Sequence, residues 1–354
     1  MKLSVLFMKS MILGKKLVML LLFTLSCGYA KAEGVIIDGL KYYVYPDTHE
    51  AVLIDLNTWT GELVIPEEFK YNNETYIVKT ITTRAFEYCT ELTKVRIPRS
   101  LVNITSQMFN MYGPSGWLAP SILNPFIGCT SLQSIEVDES NPSLYSLDGV
   151  LFDKYVSKLY SYPAGKTQDS YSIPMTVTWV GYGAFSNNSY LTSLVIPNSV
   201  SNVIGGLCNN CTNLKSVKLS EKIPSLGAYT FERCVSLRFL DIPESVSGFG
   251  EYEFRGSGIK TLIIRGTFPN GLRDDTFYGL DDDIVIYVQP SEIEKFKQAF
   301  SGTVLPLDKY TSIDNNNLKE NYSNSTLYDL QGRRLSGKPA KGMYIQGGKK
   351  HVVK

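Results

Sequence analysis

Histidine, the side chain best suited to moving protons at neutral pH, occurs only twice in 354 residues, at His49 and His351. A Ser-His-Asp or Cys-His pair would need one of the two, and neither lies near a nucleophile motif. Hydrolytic catalysis is therefore not expected. Zinc needs ligands that converge, whereas Cys89, Cys129, Cys211 and Cys234 each fill one position of a repeating unit and would line up along a stack. They read as buried thiols acting as small hydrophobes, with a disulfide between Cys211 and either Cys234 or Cys208 left open. The string from Gly332 to Lys338 satisfies most of a P-loop, but Pro339 stands where a Ser or Thr would hold magnesium. The acids Asp274, Asp275 and Asp281 to Asp283 lack the alternating spacing that wraps calcium and read as a solvated loop. Neither a metal nor a cofactor is expected, and the chain is read as not an enzyme.

The unit that spaces those cysteines is a stronger signal than any of them. Phe185, Cys208, Phe231, Phe254 and Phe277 follow one another at steps of 23 residues. Leu191, Leu214 and Leu237 lie six residues after the first position, and Ile196, Leu219 and Ile242 lie eleven after it. The frame extends upstream through Phe86, Cys89, Leu92, Val95 and Ile97, and through Phe126, Cys129, Leu132, Ile135 and Val137, so the unit reads F-x-x-C-x-x-L-x-x-V-x-I-P. Its L-x-x-V-x-I segment turns apolar side chains inward from a short strand, while the residues between them face solvent. One unit cannot bury that apolar side alone. Stacking pairs each strand with the next in parallel and aligns Phe, Leu, Val and Ile into buried ladders. Each large apolar side chain so buried is worth roughly 1.5–3 kcal/mol against the entropy of ordering. Proline at Pro98, Pro197 and Pro243 ends the pairing by removing a backbone donor. The expected architecture is a mainly β leucine-rich-repeat solenoid with coils of about 23 residues and a parallel sheet.

Two stretches interrupt the period. The span from Asn110 to Phe126 reads as an insertion carrying Tyr112 and Trp117. Between Val137 and Phe185, alternating runs around turn residues predict a coil containing a β-hairpin, with Tyr155, Tyr160 and Tyr162 beside it. The segments AFEYCTELTKVRIP, PFIGCTSLQSIEV, TFERCVSLRFLDIP and NPSLYSLDGVLFD resemble the BspA-like leucine-rich-repeat surface proteins of the Bacteroidetes, over roughly Asp38 to Val288. The resemblance implies a right-handed, mostly β solenoid on an exported protein, commonly associated with adhesion to host or bacterial proteins. It implies no shared ligand.

Stacked repeats need caps, because the first and last would expose an apolar face. Residues 33–76 carry alternating runs, IIDGLKYYVY, AVLIDL and ELVIP, that predict an antiparallel β cap. PSEIEKFKQAF, after the last repeat strand, predicts a short capping helix through Ile293, Phe296 and Phe300. The repeats then occupy residues 77–305, with insertions near 110–125 and 140–175, and a polar linker fills 306–325. Residues 326–354 predict a small β tail. Its Tyr328-Asp329, Gly332-Arg333 and Gly342-Met343-Tyr344 elements resemble the end of type IX secretion sorting domains; the alternative is a tail with no sorting role.

At the other end, Lys15 and Lys16 precede the apolar run from Leu17 to Leu25, and Ala30-Lys31-Ala32 follows as a small-x-small cleavage site. Residues 1–32 thus read as a secretory signal peptide, with lipoprotein processing at Cys27 as the alternative. The run is too short for a retained transmembrane helix. Beyond it the chain carries 30 basic and 34 acidic residues, which asks for no nucleic acid.

With catalysis set aside, the exposed positions of the sheet carry the functional expectation. Lys215, Lys218, Arg238, Lys260 and Arg265 accumulate on the last coils and would suit an acidic protein or glycan, unless they only keep the sheet soluble. Phe239, at an outward position, and the inserted Tyr112 and Trp117 are the aromatic candidates. The chain is read as a cell-surface or secreted protein binding a protein or glycan outside the cell, in adhesion or protein–protein interaction. Glycan capture and a structural envelope role are the alternatives, and oligomeric state is left open.

Overall fold

The computed structural model describes residues 32–54, 59–105, 124–268, 275–281, 283–310, 327–329, 334–339, 341–346 and 349–353. Alternation in the first segments produces an antiparallel meander, Glu33–Ile37 on Leu40–Tyr45 on Glu50–Leu53. Asp38 and Gly39 close its first hairpin at φ 49° and 83°, the left-handed pair that lets a two-residue turn follow the strand twist. Leu40, Tyr42 and Val44 are buried with Ala51 and Leu53, while the residues between them are partly exposed. Glu50–Leu53 then pairs in parallel with Glu74–Thr82, against which Glu68–Tyr71 folds back. ELVIP departs from expectation. Gly61–Val64 joins no antiparallel cap but pairs in parallel with Leu92–Ile97. Buried Leu63 and Ile65, followed by Pro66, are the end of a repeat unit whose opening half lacks the Phe signal.

The main line of repeat strands is parallel throughout and is made of three separate sheets. Gly61–Val64, Leu92–Ile97 and Ser134–Val137 form its first part. In the middle part Ser170, Ser193 and Ser216 are Cα partners, each step spanning 23 residues. Phe239–Ile242, Thr261–Ile264, Val285–Val288 and Thr303–Pro306 complete it. A second ladder runs along another side: Lys158–Ser161, Trp179–Val180 and Asn202–Val203 pair in parallel, and the bridge from Ser225 to Gly248 continues the line. Behind the middle and last parts lies an apolar core in which Phe231, Phe254 and Phe277 stack at 6.4 and 6.1 Å, with Leu191, Leu214 and Leu237 alongside, and a second apolar cluster holding Leu63, Val95 and Ile135 lies behind the first part. The hairpin Leu144–Leu147 on Val150–Asp153 sits within the interrupted stretch, as its alternating runs predict.

The repeat corner explains the cysteines. Two residues after each Phe or its equivalent, Tyr88, Gly128, Asn187, Asn210, Arg233, Gly256 and Gly279 all have φ between 58° and 78°. That left-handed step turns the next residue back toward the preceding repeat. In three repeats that residue is a cysteine whose thiol donates to a carbonyl one repeat back: Cys129 to Phe86 and Cys211 to Phe185 at 3.0 Å, Cys234 to Cys208 at 3.1 Å. All five described cysteines are free and buried, so the thiol acts as a compact donor as well as a small hydrophobe. Burial holds Cys129, Cys208 and Cys234 well above the ordinary thiol range, away from the reactive thiolate. The chain from residue 33 onward should therefore yield no fast-reacting thiols with Ellman's reagent when native, and five after denaturation without reductant. Arg233 pays the left-handed penalty without being Gly or Asn. Arg233→Asn should raise stability by about 1 kcal/mol in urea denaturation, and an unchanged or lower midpoint would contradict the strain.

At the far end, the helix Ile293–Ala299 follows a 3-10 turn at Pro290–Glu292 and closes the Phe ladder. Phe296 and Phe300 lie 6.3 and 5.7 Å from Phe277, and Phe268 meets Phe296 edge-on at 4.8 Å. Leu327–Tyr328, Arg334–Leu335, Gly342–Gln346 and Lys349–Val353 form a separate antiparallel sheet. Among the described residues no helix is long and apolar enough to cross a membrane.

Candidate functional site

The outward row of the main ladder changes character along its length. In the first part it is charged and self-paired: Arg96 Nε lies 2.6 Å from Glu62 and 3.5 Å from Glu136, and Lys94 Nζ 2.5 Å from Glu136. At the strand ends, Ile65, Ile97, Pro98 and Val137 line a groove of about 320 Å³ rimmed by Arg96, Glu136, Asp138 and Glu139. Ser140 donates its N–H at 2.8 Å and its hydroxyl at 2.5 Å to Asp138, holding that carboxyl below the ordinary range. In the middle part the row is small and polar, with Ser216 Oγ donating to Ser193 Oγ at 3.0 Å.

Of the five basic residues read as a stripe, Lys260 and Arg265 are paired with acids. Lys260 Nζ reaches Asp281 at 2.7 Å and Asp283 at 2.6 Å, so two of the acids weighed for calcium serve as its partners. Arg265 forms a two-point pair with Asp241, both bonds at 2.7 Å. Arg238 donates to the Gly258 carbonyl at 3.0 Å, and Lys215 stays exposed while Lys218 is half-buried. Phe239 requires correction. It does alternate with inward Leu240, but it is only 7% exposed, because Tyr310 stacks over it at 6.3 Å. Tyr160 and Tyr162 are likewise packing residues, whereas Tyr155 is exposed. Tyr112 and Trp117 lie outside the described residues.

A second surface, on the corner side, went unread in the sequence. Tyr229 and Tyr252 each stand two residues before a ladder Phe, both in left-handed backbone, and their rings stack at 5.8 Å and 22°. Tyr278 meets Tyr252 edge-on at 6.0 Å and is 63% exposed. One repeat upstream the same position is Gly206, over which the Tyr182 ring lies at 3.1 Å from where a Cβ would stand. Three tyrosines thus form one contact chain over three consecutive repeats, and Tyr182 covers the vacant Gly206 position upstream. Arg255 lies 4.6 Å over the Tyr252 ring and donates through Nε at 2.7 Å to Glu232, a buried acid one repeat back that also accepts from Asn209 at 2.6 Å. The signal available in the sequence was the 23-residue step between Tyr229 and Tyr252. The histidines are engaged elsewhere: His49 faces Glu74 at 3.5 Å and stacks on Tyr76, and His351 stacks on Tyr344.

Six copies of the BspA type leucine rich repeat region match residues 67–115 and 158–282 of the chain. No curated protein sequence matches it. Among solved structures, the pneumococcal vaccine antigen PcpA is similar at 16% identity and a TM-score of 0.45, over 78% of this chain and 98% of that one. A leucine rich cell surface protein of Faecalibacterium prausnitzii is similar at 16% identity and 0.46, over 77% and 99%. A leucine-rich repeat protein of Bacteroides ovatus is similar at 18% identity and 0.39, over 76% and 66%.

Proposed function

We propose that this chain is an exported BspA-type leucine-rich-repeat protein that binds another protein outside the cell, as an adhesin or a partner-recruiting module. The observation that carries the reading is the cluster of Tyr229, Tyr252 and Tyr278 with Arg255 on the corner side. Tyrosine and arginine are the residues that most often dominate protein–protein binding energy, because each combines a large rigid contact with a polar tip. The Tyr229 and Tyr252 rings stack on each other and Arg255 lies over Tyr252, so ring faces that a sugar would need are partly taken up within the cluster.

The test is a binding screen of residues 33–354 against host matrix proteins and a glycan array at physiological salt, followed by Tyr278→Ala and Tyr252→Ala. A protein ligand whose affinity falls at least about tenfold with either substitution supports the reading. A glycan ligand with the same dependence would replace it by glycan capture. Binding unaffected by either tyrosine would remove the corner side from the site.

A further inference from the structure

The groove at the ends of Gly61–Val64, Leu92–Ile97 and Ser134–Val137 is apolar along its lining and acidic at one end. Ile65 and Ile97 are buried within it, Pro98 and Val137 are half-buried, and Val64, on the outermost of the three strands, is 60% exposed. The basic residues around it already have acids. Arg96 sits between Glu62 and Glu136, Lys94 also pairs with Glu136, and Arg99 lies 2.6 Å from Glu67. Asp138 and Glu139 differ. Among the described residues Asp138 accepts only from Ser140, an uncharged donor, and none pairs with the Glu139 carboxylate. Lys154 donates to the Glu139 carbonyl at 3.0 Å and offsets one of these two charges, so this end of the groove keeps a net negative charge. Neighbouring strands lie about 4.8 Å apart, which places Val64 and Asp138, on either side of Leu92–Ile97, roughly 10 Å from each other. An extended chain covers that distance in about three residues.

We propose that this groove takes an extended segment of a partner protein that carries an apolar residue and, three positions on, a lysine, the apolar side chain resting on Val64 and the ammonium reaching Asp138 and Glu139. Lysine suits the lining because its four-carbon stem lies along Pro98 and Val137 while its charged head meets the carboxylates at the rim, still in water. An acidic segment is repelled there, and a wholly apolar one would take water from the two carboxylates and give nothing back. The inference rests on the protein-binding reading above, but it concerns the sheet side and not the corner tyrosines.

The probe is a fluorescein-labelled peptide, Gly-Ile-Thr-Thr-Lys-Gly, compared with the same peptide carrying glutamate for lysine, each titrated into a chain spanning residues 33–354 at physiological salt. The lysine peptide should bind at least about tenfold more tightly than the glutamate peptide, and Glu139→Lys should weaken it by at least about tenfold. Val64→Ser should weaken it as well. Val64 and Glu139 are both exposed, so neither substitution reaches the core, and circular dichroism of the variants should match the wild type. Equal affinity for the two peptides, or no saturation by the lysine peptide up to about 1 mM, overturns the proposal. So does lysine-peptide binding that Glu139→Lys leaves unchanged, or that Tyr252→Ala abolishes. Lysine-peptide binding with the expected dependence on Glu139, alongside a matrix-protein screen insensitive to Tyr252→Ala and Tyr278→Ala, supports the groove and removes the corner side alone.

Discussion

Gly250→Ala should destabilise the chain by 3 kcal/mol or more, the high end of what overpacking costs, although it adds a single methyl group. The position is not about backbone conformation, since Gly250 does not have the left-handed φ found at Gly206 or Gly256. It is about contact between repeats. A Cβ on Gly250 would fall within 3.0 Å of backbone atoms of Ala228 and Gly227, and one on Gly227 would meet the backbone of Gly205 in the same way. Gly205, Gly227 and Gly250 therefore form a column in which three successive repeats touch backbone to backbone. No rotamer change can relieve such a clash, so the repeats must move apart and loosen the ladders on either side. Gly337→Ala is the control, because nothing lies within 4 Å of its Cβ position, and it should change stability by no more than about 1 kcal/mol. Urea midpoints that fall equally for the two would refute the column.

Glu253→Gln should do the reverse as pH rises above the mildly acidic range. Glu253 is fully buried beside Phe254, and neither carboxyl oxygen has a hydrogen-bond partner among the described residues. The Thr230 hydroxyl, which could approach it, donates instead to the Gly227 carbonyl at 2.6 Å. Burial pushes the carboxyl well above the ordinary range. The folded chain thus holds a proton that the unfolded chain releases above a pKa of about 4.3. The unfolded state binds fewer protons across that window, so stability falls as pH rises, by about 1.4 kcal/mol per pH unit, until the folded-state pKa is reached. Below pH 4 both states are protonated and the penalty vanishes. Glutamine carries no such proton. The difference in unfolding midpoint between Glu253→Gln and wild type should be constant below about pH 4 and shift in favour of the variant as pH rises above it. Parallel curves above that pH would show that the side chain is solvated or paired.

What could be read from residue types was the part of the fold in which side chains repeat. The Phe, Leu, Val and Ile positions recur because each must fill the same slot in a common core, so the 23-residue step and the inward rows were visible. The second ladder was not. Trp179, Asn202, Ser225 and Gly248 share no chemistry, since what pairs there is backbone alone. Gly61–Val64 was misassigned for a related reason, as a terminal repeat keeps its strand and drops the Phe that would have marked it. For the candidate site, alternation correctly placed Phe239 on the outer side, but its cover comes from Tyr310, 71 residues further on, which no local pattern reveals. Lys260 and Arg265 read as a basic stripe because their pairing with acids 21 to 24 residues away depends on the register between repeats.

That register also decides how the molecule yields to force. The bonds joining successive repeats, such as Ser170 to Ser193 to Ser216, point along the direction of stacking. A pull between the first and last repeats therefore opens them one repeat at a time, starting from an end. Each repeat of the regular stretch from Phe185 to Phe277 that lets go releases 23 residues, a slack of roughly 75–80 Å when drawn out. A tether built this way lengthens in steps under shear while the repeats that have not opened keep their surface intact.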